Sequence, residues 1–199
     1  MDDLYEIDDA STPLTEEEKA ELIPTWITLR GELNDIERQG ILNAEKWLFA
    51  RNQKNILTED FVKKLHKRMF KDVWNWAGQF RTTERNIGVD PWQIPINLRN
   101  LLEDTKYWIE NETYPHDEIG ARFHHRLVLI HPFPNGNGRH ARLMADILMK
   151  NMGQSRFSWG QGSLVEASEI RRQYIEALRA ADGGQFSLLF GFVRMTSQN

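Results

Sequence analysis

The residues best able to do chemistry in this chain lie in one stretch of twelve, His131 to Arg142, which reads HPFPNGNGRHAR. His131 offers an imidazole whose ordinary pKa of about 6.5 lets it take a proton from a hydroxyl group near neutral pH. Pro132 disfavours helical backbone at residue 131, so we expect the preceding helix to end there, with the imidazole at the mouth of a loop. The stretch therefore predicts a general base beside a turn.

The Asn-Gly-Asn-Gly run at 135–138 predicts an anion-binding turn. These residues readily adopt left-handed backbone, which lets successive N–H groups converge on one point. The next helix should begin near Arg139 and direct its positive dipole end to the same point, and Arg139 and Arg142 lie about one helical turn apart. This set predicts a phosphate-transfer site, with catalysis assigned to His131, Arg139 and Arg142 and phosphate binding to Gly136, Asn137, Gly138, Arg139 and Arg142. The alternative is a plain turn between helices, with solvated arginines and a packed histidine.

Other phosphate and metal motifs fit less well. Gly136 to Ala141 matches G-x-G-x-x-A, but no βαβ unit surrounds it and no acidic residue follows at about 20 positions. The P-loop pattern is absent from the sequence. His124, His125 and His140 lack the spacing of a zinc motif, so we expect packing or surface roles for them.

The elements that position these residues are mostly helices. Thr15 and Glu18 form a capping box, which predicts a helix from about Glu16, and Thr58 can cap a later one. Helical spacing of apolar residues continues along the chain to Val193 and predicts a mainly α bundle. Between Trp76 and Pro95, β-branched residues alternate with turn formers, which we interpret as a short β-hairpin, with an irregular loop as the alternative.

Composition narrows the possible functions. The 199 residues carry a net charge of -4 and no cysteine, which disfavours a broad nucleic-acid surface and is typical of a reducing compartment. The first ten residues are predicted to form a loose acidic tail rather than a signal peptide. No apolar run approaches the roughly 20 residues of a membrane span. We therefore expect a cytoplasmic protein that binds neither membranes nor nucleic acid directly.

The twelve-residue stretch is similar to the Fic-family signature HPFx[DE]GNGRxxR. The sequence WAGQFR at 76–81 resembles the family's flap region, and Tyr174 to Phe190 resembles its closing helices. The segments TPLTEEEKAELIP and FSWG resemble the Fic subgroup labelled "mobile mystery protein B". The resemblance implies a Fic-type helical bundle with a short β-hairpin flap, in which 1–54 form a tail and a helical segment and 55–199 form the catalytic core, packed as one unit.

The resemblance also implies an activity, the transfer of AMP from ATP, with Mg²⁺, to a Tyr, Ser or Thr hydroxyl of a target protein. His131 would deprotonate the hydroxyl, and the flap, here 81–95, would align the target by strand-like pairing. A related phosphotransferase, another nucleotidyl transferase and a catalytically weak nucleotide-binding partner protein are the alternatives. The subgroup further implies a small helix-turn-helix partner protein, as in a toxin–antitoxin pair.

Two positions modify what the resemblance implies. Asn135 stands where the family has the acidic residue that holds Mg²⁺, so the metal site should be weakened, although an amide oxygen can still coordinate. Thr28 and Glu32 match the family's inhibitory motif [ST]-x-x-x-E-[GN], but Leu33 departs from its last position. This partial match implies that Glu32 pairs with Arg142 and inhibits the enzyme. The alternative is that Glu32 is a solvated helix residue.

Overall fold

The computed structural model describes residues 15–161 and 169–195. Within these ranges the chain forms eight α-helices: α1 (Glu16–Lys19), α2 (Arg30–Ala50), α3 (Glu59–Phe70), α4 (Ile94–Glu110), α5 (His116–Ile130), α6 (Asn137–Asn151), α7 (Glu169–Asp182) and α8 (Ser187–Arg194). Single 3₁₀ turns occupy Pro91–Gln93 and Trp159–Gln161. The mainly α prediction is confirmed. The predicted acidic tail lies outside the described residues.

Local sequence signals explain several helix boundaries. The Thr15 hydroxyl accepts a hydrogen bond from the Glu18 N–H at 3.3 Å, and the Glu18 carboxylate accepts one from the Thr15 N–H at 2.9 Å, which confirms the capping box of α1. The Thr58 hydroxyl caps α3 in the same way by accepting from the Phe61 N–H. Each such cap satisfies a backbone donor that the first helical turn leaves without a partner.

The helices pack around α5 and α6. These two helices contact each other extensively, α4 packs on α5, and α2 and α3 pack on each other and on α6. The paired helices α7 and α8 cover the remaining side of α5. Buried side chains from both central helices fill the core, among them Phe123, Leu127, Met144 and Leu148. The loop between α5 and α6 is therefore anchored at both ends by the most buried part of the structure.

The segment predicted as a β-hairpin is an irregular loop. Residues 79–90 contain no strand, and the one isolated bridge among the described residues joins Leu22 to Trp74. The loop's backbone donors bond to the end of α5 instead of to each other: the Arg81 N–H donates to the Pro132 carbonyl at 2.9 Å, and the Val89 N–H to the Ile130 carbonyl at 3.4 Å. Residues 79–90, called the flap loop below, thus cap the C-terminus of α5.

Within the part of the chain that the structure describes, none of the helices has the length and apolarity needed to cross a bilayer.

Candidate active site

His131 is the first residue after α5 and has left-handed backbone, with φ 52° and ψ 60°. This conformation costs a residue with a side chain about 1 kcal/mol or more, so the surrounding contacts must hold it. As predicted from Pro132, the helix ends here. The residue is only 6% exposed, which places its imidazole under the flap loop rather than in bulk solvent.

The environment of His131 keeps its imidazole neutral. Burial is the main cause that lowers its pKa to about 4, the positive charges of Arg81 and Arg85 lower it further, and a hydrogen bond with the Val128 backbone opposes them. A neutral imidazole has a lone pair with which to accept a proton. His131 is therefore in the protonation state of a general base throughout the neutral range.

The side chain of Asn137 closes the loop between α5 and α6. Its Oδ1 accepts the Phe133 N–H at 2.9 Å, and its Nδ2 donates to the Phe133 carbonyl at 2.8 Å. Asn137 is buried, so this pair of hydrogen bonds is protected from water. The amide thus holds the loop in shape, and any contact of Asn137 with an anion would come from its backbone N–H.

His66 was not predicted from the sequence, yet it joins the loop to the base of the flap. Its Nδ1 accepts the Gly78 N–H at 3.0 Å, so the ring proton lies on Nε2, which donates to the Asn135 carbonyl at 3.1 Å. The ring also stacks on Phe133, and burial holds the pKa of His66 well below its usual value. The available sequence signal was a histidine on the buried, otherwise apolar face of α3.

The N-terminus of α6 forms a confined space beside this loop. Gly136 has φ 77°, and a Cβ built there would lie 2.5 Å from the Phe70 ring, so glycine is required. A Cβ on Gly138 would instead meet the Tyr174 hydroxyl at 3.7 Å and Arg142 Nη1 at 3.8 Å, which are ordinary contacts. First-turn N–H groups have no intrahelical acceptor. Gly138 and Arg142 thus face one space suited to an anion.

Tyr174 and His124 orient the Arg142 guanidinium through a chain of hydrogen bonds. The Arg142 guanidinium hydrogen-bonds to the Tyr174 hydroxyl, which lies 3.0 Å from Nε2 of His124. Because a guanidinium can only donate, the Tyr174 oxygen accepts from Arg142 and its proton goes to His124. His124 can accept it, since burial and then the charge of Arg142 lower its pKa to about 3.

Arg139 forms an ion pair with a glutamate of α2 that the sequence analysis did not single out. Its Nη1 donates to Glu37 Oε2 at 2.7 Å, and Glu37 Oε1 accepts from Trp74 Nε1 at 2.8 Å. Glu37 is 5% exposed and lies on the same buried helix face as Leu33. A charge within an apolar helical stripe is the signal that could have identified it. The Glu37 carboxylate thus binds the Arg139 guanidinium, which was predicted to bind phosphate.

Asn135, the predicted metal-facing residue, uses its amide oxygen within the protein. Oδ1 accepts the Gly136 N–H at 2.5 Å and lies 3.4 Å from Arg139 Nη2. The described residues contain no group of three acidic, histidine or cysteine side chains that could hold a metal. An engaged amide oxygen beside a guanidinium does not fit a Mg²⁺ site held by the protein.

Glu32 and Thr28 lie at the start of α2, five and nine residues before Glu37. The Glu32 carboxylate accepts the N–H groups of Thr28 and Leu29 at 3.1 and 3.2 Å and so caps its own helix. The pairing of Glu32 with Arg142 stays a prediction, and in this structure the carboxylate serves the helix start.

The other predicted packing histidines have protein partners. Nε2 of His125 lies 2.8 Å from Asp182, and Nε2 of His140 lies 3.0 Å from the Val62 carbonyl. Both residues are buried. They serve the core, as the sequence analysis expected.

Comparison with known proteins agrees with this geometry. Residues 56–149 match the model of the Fic/DOC family. This part of the chain is a Fic domain. The sequence is also similar to the protein adenylyltransferase fic-1 of Caenorhabditis elegans, with 29% identity over 156 residues, which cover 76% of this chain and 28% of the relative. The chain thus spans under a third of that relative's length.

Solved Fic domains have the same fold. An N-terminal Fic domain of a cell filamentation protein from Bartonella quintana superposes with a TM-score of 0.71 at 14% identity, covering 98% of this chain and 91% of that one. A structure of such a domain from the same organism with bound ADP gives 0.69 at 14% identity, covering 85% and 86%. Glu37 and Tyr174 lie outside the matched residues 56–149, so the Fic domain receives contacts from both flanking segments.

Proposed function

We propose that this chain is a protein adenylyltransferase that moves AMP from ATP to a Tyr, Ser or Thr hydroxyl of a target protein. The observation that carries the proposal is the loop between α5 and α6, which has a neutral histidine at one end and an anion-suited helix start at the other. The similarity to protein adenylyltransferases supports the choice of reaction. The ADP bound to a similar Fic domain supports a nucleotide as the donor.

In the proposed reaction, His131 accepts the proton of the target hydroxyl as its oxygen attacks the α-phosphorus of ATP. The bond from that phosphorus to the oxygen bridging to the β-phosphorus breaks, and pyrophosphate leaves with the electron pair. The N–H groups of Asn137 and Gly138 and the guanidinium groups of Arg139 and Arg142 stabilise the phosphate charge, whereas the Gly136 N–H donates to Asn135 Oδ1. Because Asn135 does not fit a metal site, no step is assigned to a protein-bound metal.

The target would dock along residues 81–95. Apolar side chains are unusually exposed beside this loop: Ile87 is 44% and Trp92 75% exposed. Exposed aromatic residues are enriched where proteins bind one another. The flap loop packs against His131 at Gly88, so a target segment held there would present its hydroxyl near the base.

Control by the N-terminal segment would act through Glu37. Its carboxylate neutralises Arg139, so a phosphate must displace it to gain that guanidinium. Glu32, the residue singled out from the sequence motif, remains a second candidate. Both lie on α2, so displacement of this one helix would remove either carboxylate.

The test is incubation of the protein with ATP labelled at either the α or the γ phosphate, followed by counting of protein-bound label. An adenylyltransferase incorporates the α label alone, whereas a phosphotransferase incorporates the γ label. His131→Ala is the control and should abolish incorporation. Absence of α label with Glu37→Gln, Glu32→Gly and wild type alike would reject the proposal.

A further inference from the structure

Arg81 belongs to the flap loop, and in its described contacts its guanidinium donates only to backbone carbonyls of this loop and of His131. Nε donates to the His131 carbonyl at 2.6 Å, one Nη to the Thr83 carbonyl at 2.9 Å and the other to the Val89 carbonyl. Arg81 is 2% exposed. A buried guanidinium that binds three carbonyls from two separate segments fixes those segments relative to each other.

The carbonyl groups at the end of α5 need hydrogen-bond donors from outside the helix, and Arg81 provides two of them. The last carbonyls of a helix have no intrahelical partner, and the left-handed backbone of His131 turns its own carbonyl away from the helix. Three successive carbonyls, those of 130–132, accept from Val89 N–H, Arg81 Nε and Arg81 N–H respectively. Arg81 supplies two of these three bonds.

The charge of Arg81 acts in the same place. A cation is favourable at a helix C-terminus. It also disfavours protonation of the adjacent imidazole, and Arg85 acts in the same direction. The tip of the flap loop touches the histidine as well, since a Cβ on Gly88 would lie 2.7 Å from both Arg81 Nη2 and His131 Cβ.

From these contacts we infer that Arg81 is the positioning residue of the catalytic base: it holds the left-handed turn at His131 and couples this turn to the flap loop. The inference rests on the proposed function for its kinetic consequence, but its structural part concerns His131 alone. Arg81 has no described contact with residues 136–138. Its loss should therefore affect the chemical step rather than nucleotide binding.

The experiment compares wild type with Arg81→Met, which keeps the length of the side chain but removes its charge and donors. Arg99→Met, on the exposed surface of α4, is the matched control. We expect kcat for AMP transfer to fall by at least about tenfold with KM for ATP unchanged. In an NMR titration, the imidazole signal of His131, assigned by its loss in His131→Ala, should show a midpoint about one pH unit higher. Arg99→Met should match wild type in both.

The outcomes distinguish failure of this inference from failure of the proposed function. A folded Arg81→Met protein with wild-type kcat and an unshifted His131 titration would overturn the inference. If this variant does not fold, Arg81→Lys tests the inference instead, because it keeps the charge but cannot reach three carbonyls. In this second variant kcat should fall while the midpoint of the His131 titration stays low. A wild-type kcat in Arg81→Lys would overturn the inference. If wild type transfers no AMP, the proposed function fails, and the His131 titration of the same variants still tests Arg81.

Discussion

Glu37 and Arg139 are joined across 102 positions of sequence by an ion pair of 2.7 Å. The pair brings α2 to the candidate site, because Arg139 stands on the first turn of α6. Glu37 also accepts a hydrogen bond from Trp74, so its carboxylate is fixed at both oxygens. A negative charge held in this way competes for Arg139 with the phosphate oxygen of the proposed reaction.

We predict that Glu37→Gln raises AMP transfer. The amide keeps an oxygen for Trp74 but loses the charge that competes with phosphate, while loss of the buried ion pair should cost about 1–3 kcal/mol of stability. Self-modification can be followed by intact mass and unfolding by thermal denaturation. Glu32→Gly, run beside it, should raise transfer only if the predicted pairing with Arg142 forms. An unchanged rate in Glu37→Gln would assign Glu37 a purely structural role.

The two motif glycines should respond differently to alanine. Gly138→Ala meets only ordinary contacts, so the protein should fold with wild-type stability, but the methyl group fills the space between Tyr174 and Arg142 and should weaken nucleotide binding. Gly136→Ala combines positive φ with a clash against Phe70, so it should lose about 1–3 kcal/mol of stability. Calorimetric nucleotide binding and chemical denaturation measure the two effects. Normal nucleotide affinity in Gly138→Ala would place the phosphates elsewhere.

We predict that the titration of His131 does not change the rate of AMP transfer between about pH 5.5 and 7.5. Its pKa of about 4 leaves it unprotonated over this range, whereas a solvated histidine would lose half its activity near pH 6.5. The measurement is kcat/KM against pH in buffers of constant ionic strength. An acidic limb centred near 6.5 would show that the imidazole is solvated in the active enzyme.

Acid should destabilise the fold through its buried histidines. His124 and His140 have pKa values lowered to about 3 and 4, mainly by burial. The unfolded chain therefore binds protons below pH 6.5 that the folded chain does not, and stability falls as pH drops from that value, by about 1.4 kcal/mol per pH unit for each histidine. Denaturant unfolding of wild type and His140→Asn at pH 7 and 5 tests this. The variant should lose less stability between the two pH values, and equal losses would contradict the prediction.

Asn135→Asp should strengthen Mg²⁺ binding at this position, where the Fic signature has an acidic residue. A carboxylate could bind Mg²⁺ together with substrate phosphates, so transfer should reach half its maximum at a lower Mg²⁺ concentration. Titration of Mg²⁺ against AMP transfer compares the two proteins, with Asn135→Ala as the control for loss of the amide. Coincident titration curves would show that residue 135 does not face the metal.

The sequence predicted those parts of the molecule that depend on local signals. The cap at Thr15, the end of α5 at His131 and the glycine turn before α6 follow from residues close together in the chain, and the structure has all three features. The flap loop was mispredicted as a hairpin because its hydrogen-bond partners lie about 50 residues further on. The roles of Glu37, His66 and Arg81 were not predicted for the same reason. Each side chain bonds to a segment distant in sequence, and the local sequence pattern does not indicate that partner.

The hydrogen bonds from Arg142 through Tyr174 to His124 require that an active fragment of this protein include α7. A fragment cut at residue 149, where the family match stops, would lack Tyr174 and leave the Arg142 guanidinium and the buried His124 ring facing an open crevice. Such a fragment would retain every residue of the signature and still have a misaligned arginine. Expression boundaries for this protein should therefore be drawn beyond α7.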